Sequence, residues 1–242
     1  MKKYSRLQKL LTIIGNIAMW FKKKNKWLVH KGQGNIINCP DVPENTFIKQ
    51  SKLIVRGNNN EVNIGSPNEW NGASITVVGN NNKVTIGKNG YCYFDMRILG
   101  DNCEIFIGEH CGFKDSTLRI NESNSKIIIG NDGMFAQGSR ITCTDFHAIL
   151  DYETRKPINR GKEIIIGSHC WITVDVKVMK NTHIADDIIV GAGSIVAKDL
   201  TESHAIYAGS PAKLIKTGIT WSHDNFDTAM QKYLSVQEDK NV

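Results

Sequence analysis

From Ile166 to Ala197 an aliphatic residue returns at every sixth position: Ile166, Ile172, Val178, Ile184, Val190 and Val196. Small residues follow several of them, as at Gly167, Ala185, Gly191 and Ala197. A helix repeats its buried face about every 3.6 residues and a strand about every two, so neither sets a period of six. A prism-shaped parallel β-helix does. Each coil has three short faces of about six residues, and one aliphatic side chain per face points to the axis. The run predicts an all-β, three-faced solenoid.

Upstream the same architecture shows a longer beat. Val55-Arg-Gly-Asn-Asn-Asn-Glu-Val-Asn-Ile-Gly65 is echoed by Val77 to Gly87, by Ile98 to Gly108 and, more loosely, by Ile120 to Gly130. An unadorned coil takes about 18 residues, and these closing glycines lie 21 or 22 apart. The extra residues belong at the corners, where Asn and Gly tolerate left-handed backbone, and stacked asparagines can bond from coil to coil. Gly167 follows Gly130 by 37 residues, so that coil holds a surplus loop, placed at 142–163. Long loops thrown out of a regular scaffold tend to carry function.

Both ends read differently. Leu7, Leu10, Leu11, Ile14, Ile17 and Phe21 share one helical face. Nine Lys/Arg and no Asp/Glu precede Asp41, leaving 21 basic against 24 acidic residues beyond it. The basicity is therefore terminal, and the body has no aromatic-basic pattern for nucleic acid. Lysines, not a small-x-small cleavage site, follow the apolar stretch, which argues against a signal peptide. Residues 1–32 are read as a basic amphipathic helix, either lying on the inner membrane face or a membrane partner, or packed on the domain's own flank. Residues 33–218 form the solenoid. Residues 219–242 hold a short helix with Phe226, Met230, Tyr233 and Leu234 on one face, expected to cap the solenoid's open end. No run is long enough to span a bilayer. The six cysteines show no CxxC pair and are read as reduced thiols of a cytoplasmic protein.

The surplus loop contains Thr144-Asp-Phe-His147 and closes on Ile158-Asn-Arg-Gly-Lys162. It is followed by Ile166-Gly-Ser-His-Cys-Trp171-Ile, and the hexads end at Ala208-Gly-Ser-Pro-Ala-Lys213, with Ile219-Thr-Trp221 beyond. On these motifs, over about residues 50–225, the chain resembles the hexapeptide-repeat acyltransferases. Within them it is most similar to the O-acetyltransferases of sialic-acid-containing capsules. The resemblance implies a left-handed β-helix, a homotrimer with shared sites, and acetyl-CoA as co-substrate without a metal. The acceptor it implies is a hydroxyl of a surface-glycan sugar.

Residue by residue, the resemblance makes His147 the general base, a role that suits an imidazole. Asp145 either orients that ring, helps hold the acceptor, or caps the loop backbone. Trp171 lines the groove beside thioester and acceptor, or covers a coil edge. Coenzyme A is expected along Trp171, Gly191 and the turn Ala208, Gly209, Ser210, Pro211, Ala212 and Lys213. Thr173 stands where similar enzymes often carry Gly. Arg155, Arg160 and Lys162 are candidates for an anionic acceptor or a coenzyme phosphate, or are simply solvated.

A zinc carbonic anhydrase on this scaffold would pair His110 with His147, yet position 152 is Tyr and a third ligand is missing. A serine acetyltransferase would need a larger helical N-terminal domain. A non-catalytic β-helix that binds partners through its flat faces, or an acetyltransferase for a small soluble acceptor, remains compatible with the sequence.

Overall fold

The computed structural model describes residues 28–39 and 51–239. It is a parallel β-solenoid with three faces, followed by a helix at Phe226–Asp239. Within a coil the chain runs along a first face (Glu69–Trp70 in one coil), a second (Ser74–Val78) and a third (Lys83–Ile86), then climbs to the next. The third face is a continuous sheet of seven strands. The first two merge into one 14-stranded sheet, because Tyr91–Leu99 and Gly112–Ile120 bend across the corner between them.

The hexad residues land as their period requires. Ile166, Ile172 and Val178 occupy the third, first and second faces, and Ile184, Val190 and Val196 sit in register one coil on. All six are almost wholly buried. The columns continue downward, as in Ile64, Ile86, Ile107, Ile129 and Ile166 on the third face. On the first face Cys92, Phe113, Phe135 and Ile172 stack, with the Phe113 and Phe135 rings 4.4 Å apart and nearly parallel. Each such side chain buried contributes about 1.5–3 kcal/mol, so axial stacking, not strand length, holds two-to-five-residue strands together.

The extra residues of the lower coils build the corner between the second and third faces. Asn59, Asn81, Asn102 and Asn124 are left-handed, with φ of 54–61°, a conformation Asn tolerates better than most residues. Their amides form a ladder, Asn81 Nδ2 to Asn102 Oδ1 at 3.2 Å and Asn102 Nδ2 to Asn124 Oδ1 at 3.3 Å. A second asparagine column inside it is buried: Asn60 Oδ1 accepts from the Asn82 amide at 3.0 Å, and Asn82 Oδ1 from the Cys103 amide at 2.9 Å.

Two boundaries differ from the sequence reading. The first described strand is Leu28–Lys31, paired with Lys52–Arg56, so the solenoid begins before residue 32. The basic helical segment expected before it lies outside the described residues. At the other end the helix forms, but Phe226, Met230, Tyr233 and Leu234 are 40–75% exposed and do not seal the solenoid. The strand Ala212–Thr217 instead folds back antiparallel on Ala205–Gly209, taking the edge a further coil would have used. Among the described residues no helix is long and apolar enough to cross a membrane.

Candidate active site

The loop that carries His147 leaves the asparagine corner after Arg140–Thr142 and re-enters at Glu163–Ile166. Beyond its stem it is a small hairpin. Leu150 and Pro157 bridge antiparallel, and the Asp151 carboxylate accepts from the Thr154 amide and hydroxyl at 2.8 and 2.7 Å. His147 is exposed. Its neighbours are held tightly: the His147 amide donates to the Asp145 carbonyl at 2.7 Å, and Asn159 Nδ2 donates to the His147 carbonyl at 2.9 Å. Asn159 Oδ1 accepts from the Ile149 amide at 2.8 Å.

Asp145 is engaged within the loop stem. Its carboxylate takes Lys180 Nζ at 2.5 Å and Asn159 Nδ2 at 2.8 Å, not the imidazole. Those bonds hold its pKa below the ordinary carboxylate value. Lys180, mostly buried, comes from the next coil and also donates to the Asn159 carbonyl. From the coil below, Glu122 accepts from Thr144 Oγ1 at 3.0 Å and from the Gly161 amide at 2.8 Å. Sequence reading passed over Lys180 and Glu122, because each acts from a neighbouring coil. Asn159 was visible only as part of the Ile-Asn-x-Gly-Lys motif.

The basic candidates separate. Arg160 and Lys162 line a shallow groove with Asn102, Asn124, Lys126 and Glu163, and Arg160 also donates to the Ser123 carbonyl at 2.9 Å. Arg155 stands apart on the exposed hairpin turn, with φ of 58°.

Trp171 lies on the first face, in register with Met134 and Ile189. His147 lies on the corner between the second and third. One chain therefore does not bring them onto a common face. The turn Ala208–Lys213 lies at the upper end of the first face, where Ala208 pairs with Lys213 and Gly209 with Ala212. Gly209 has φ of 109°, and its amide donates to Ser194 Oγ at 3.0 Å. Ser194, fully buried, in turn donates to the Gly191 carbonyl at 2.5 Å. A Cβ on Gly191 would meet that of Ala208 at 2.9 Å, so its lack of a side chain lets the turn close on the coil. Lys213, Ser210 and Pro211 are exposed on the turn. Thr173 turns its hydroxyl onto the Val190 carbonyl at 2.6 Å and away from the surface.

Beside Trp171 runs a corner of alternating His and Asp. His110, Asp132, His169, Asp187 and His204 are all left-handed, one per coil. His169 Nδ1 meets Asp187 at 2.9 Å and His204 Nδ1 meets it at 2.5 Å. The C-terminal tail returns along this corner: Thr220 bonds Asp187, His223 Nε2 meets Asp132 at 2.9 Å, and Trp221 packs between His169 and Trp171. Burial raises the Asp187 pKa, but the bonds from His169, Thr220 and His204 outweigh it and hold the group low. Among the described residues no group of three or more His, Cys, Asp or Glu is arranged to hold a metal.

No family model matches the chain. Over 91 residues it is 36% identical to a polysialic acid O-acetyltransferase of Escherichia coli O1:K1 / APEC, covering 38% of this chain and 29% of that one. Over 99 residues it is 34% identical to a polysialic acid O-acetyltransferase of Neisseria meningitidis, covering 41% and 46%. The matched stretches thus span less than half of these relatives. In structure, the polysialic acid O-acetyltransferase OatWY superposes with a TM-score of 0.74 at 29% identity, over 87% of this chain and 98% of that one. Fold and comparisons support the hexapeptide-repeat acyltransferases as the class of this chain. Within that class, two polysialic acid acetyltransferase structures, OatWY and NeuO, resemble it over 87% and 89% of its length.

Proposed function

We propose that this protein moves the acetyl group of acetyl-CoA to a hydroxyl of a surface-glycan sugar. The observation that carries the reading is the likeness to OatWY over 98% of that chain, joined to a loop-borne, solvent-facing His147 on a rigid stem. His147 takes the proton of the acceptor hydroxyl as the oxygen attacks the thioester carbonyl. Backbone N–H groups steady the oxyanion, whose collapse breaks the C–S bond, and the protonated His147 gives its proton to the sulfur, so coenzyme A leaves as its thiol. The coenzyme would lie along the first face from Trp171 to the turn Ala208–Lys213, where Gly191 lets the turn close on the coil and the exposed Lys213 could meet a phosphate.

Because His147 and Trp171 sit on different faces, the reading assigns the complete site to a homotrimer, in which one copy's loop meets the first face of its neighbour. A monomer in light scattering that retains full activity would exclude this arrangement. Arg160 and Lys162, together on their groove, would meet an anionic sugar such as a sialic acid. Residues 1–27 would hold the enzyme on the cytoplasmic face of the membrane. Incubating acetyl-CoA with a panel of sialylated and neutral glycans tests the core claim, read as a 42 Da (about one acetyl) mass gain with thiol release. Transfer only to neutral sugars removes the sialic acid assignment, and no transfer to any glycan removes the glycan reading.

A further inference from the structure

We propose that Lys180 is a positioning residue for His147, reaching it from the next coil through Asp145 and Asn159. This rests on the reading of His147 as the general base. Lys180 stands at the corner directly above the loop, and its ammonium group joins the two strands of the stem: Asp145 Oδ2 on the way out and the Asn159 carbonyl on the way back. Asn159 then passes the constraint on. Its amide nitrogen binds Asp145 and the His147 carbonyl, and its amide oxygen binds the Ile149 amide. The His147 amide, the His147 carbonyl and the Ile149 amide are thus each tied, through Asp145 or Asn159, to one mostly buried lysine, while the Phe146 amide is held by Thr144 Oγ1 at 2.9 Å.

The neighbouring Asn181 completes the attachment from the same corner. Its Oδ1 accepts from the Lys162 amide at 2.8 Å and its amide group donates to the Arg160 carbonyl at 3.3 Å. Glu122 holds the stem from the coil below. The position of a base on a long loop sets how often it meets the acceptor in line, and displacements of an ångström cost about 10²-fold in rate. Lys180 supplies that restraint without touching substrate.

A charge is involved as well as a tether. The other ionisable groups around this stem are the anions Asp145, Glu122 and Glu163, the thiol of Cys143, and the cations Arg160 and Lys162 on the outward side of the groove. Lys180 is the cation facing them from the coil above. Removing it leaves Asp145 as an uncompensated anion two residues from the imidazole, which favours the protonated ring. The acid limb of the rate profile should then move upward.

The test compares wild type with Lys180→Met, Lys180→Arg and Asn159→Ala. In Lys180→Met the amides of His147 and Ile149 should exchange with solvent about ten-fold faster or more, while those of Ile166 and Ile184 keep wild-type protection. Its kcat should fall at least ten-fold with KM for acetyl-CoA unchanged, and its acid limb should shift upward. Lys180→Arg should restore the acid limb and much of the protection. Asn159→Ala, which removes the relay and keeps the lysine, should loosen the same two amides without moving the limb. Unchanged exchange at His147 and Ile149 in both Lys180→Met and Asn159→Ala would overturn the proposal. Should His147→Ala leave transfer intact, the base assignment fails by itself, and the exchange measurement still decides whether Lys180 holds the loop.

Discussion

The indole of Trp221 lies parallel to the imidazole of His169, with centroids 4.4 Å apart and 8° between the planes, and its N–H donates to the His169 carbonyl at 2.8 Å. A residue 52 positions downstream is thus locked onto the coil that carries Trp171. The stack fixes the path of the tail along the corner beside Trp171.

Trp221→Ala should release the tail. Replacing a buried Trp costs about 3 kcal/mol, which here falls on local docking and not on the axial core. Limited proteolysis should cut near residues 218–225 at least ten-fold faster, with the solenoid's main thermal transition retained. Equal cleavage of variant and wild type would mean that the His/Asp corner holds the tail without the indole.

Asp145 and Asp187 share a pH signature. Both have a folded pKa below the ordinary carboxylate value, the first through bonds from Lys180 and Asn159, the second through its His and Thr partners against the pull of burial. A carboxylate depressed in this way stabilises its contacts above its unfolded pKa, about 3.9, and loses that contribution as pH falls through the folded value. Loop and tail should therefore stay attached from pH 7 down to about pH 4 and loosen below it. Amide exchange at Ile149 and tryptophan emission, followed over that range, provide the check; release of the loop already near pH 5 would contradict it.

His147→Ala should lower kcat by about 10²–10⁴-fold, the usual contribution of a general base, while acetyl-CoA affinity stays within a few-fold of wild type. Calorimetric titration of the coenzyme, paired with initial rates, separates the two quantities. A variant with unchanged turnover would remove His147 from the mechanism.

Direct transfer also predicts silent cysteines. Cys143 and Cys170 are fully buried, and burial pushes both thiols up to about 12. Neither should form a thiolate near pH 7–8. Iodoacetamide at pH 8 should leave both unmodified in the folded protein, and mass spectrometry during turnover should find no acetyl group on either. An acetylated Cys143 that forms and decays with the reaction would replace direct transfer with a covalent route.

The basic N-terminal segment is expected to bind anionic bilayers, each Lys or Arg near the surface adding about 1 kcal/mol. A chain starting at Leu28, which preserves the first strand, should keep its fold and its activity on soluble acceptor but lose co-sedimentation with phosphatidylserine vesicles. Full-length protein that ignores those vesicles at low salt would refute the membrane assignment.

The repeat was legible because its cause is local and one-dimensional. A residue that must reach the axis once per face recurs every six positions, and coil stacking needs only that period, so Ile166 to Val196 could be placed on faces without coordinates. The asparagine corners were legible for a related reason: φ near 55–60° is tolerated by few residue types. His147, Trp171 and the Gly209 turn could be picked out because they stand in contiguous motifs. What the tertiary structure alone decided are contacts between residues one or more coils apart, whose separation no period dictates. Lys180 on Asp145, Glu122 on Gly161, Ser194 under Gly209 and Trp221 on His169 are of this kind. So is the exposed apolar face of the last helix: its sequence specifies an amphipathic helix, but whether that face meets the solenoid depends on where the tail at Thr220 and His223 is tied to Asp187 and Asp132, a geometric outcome that helical periodicity does not encode.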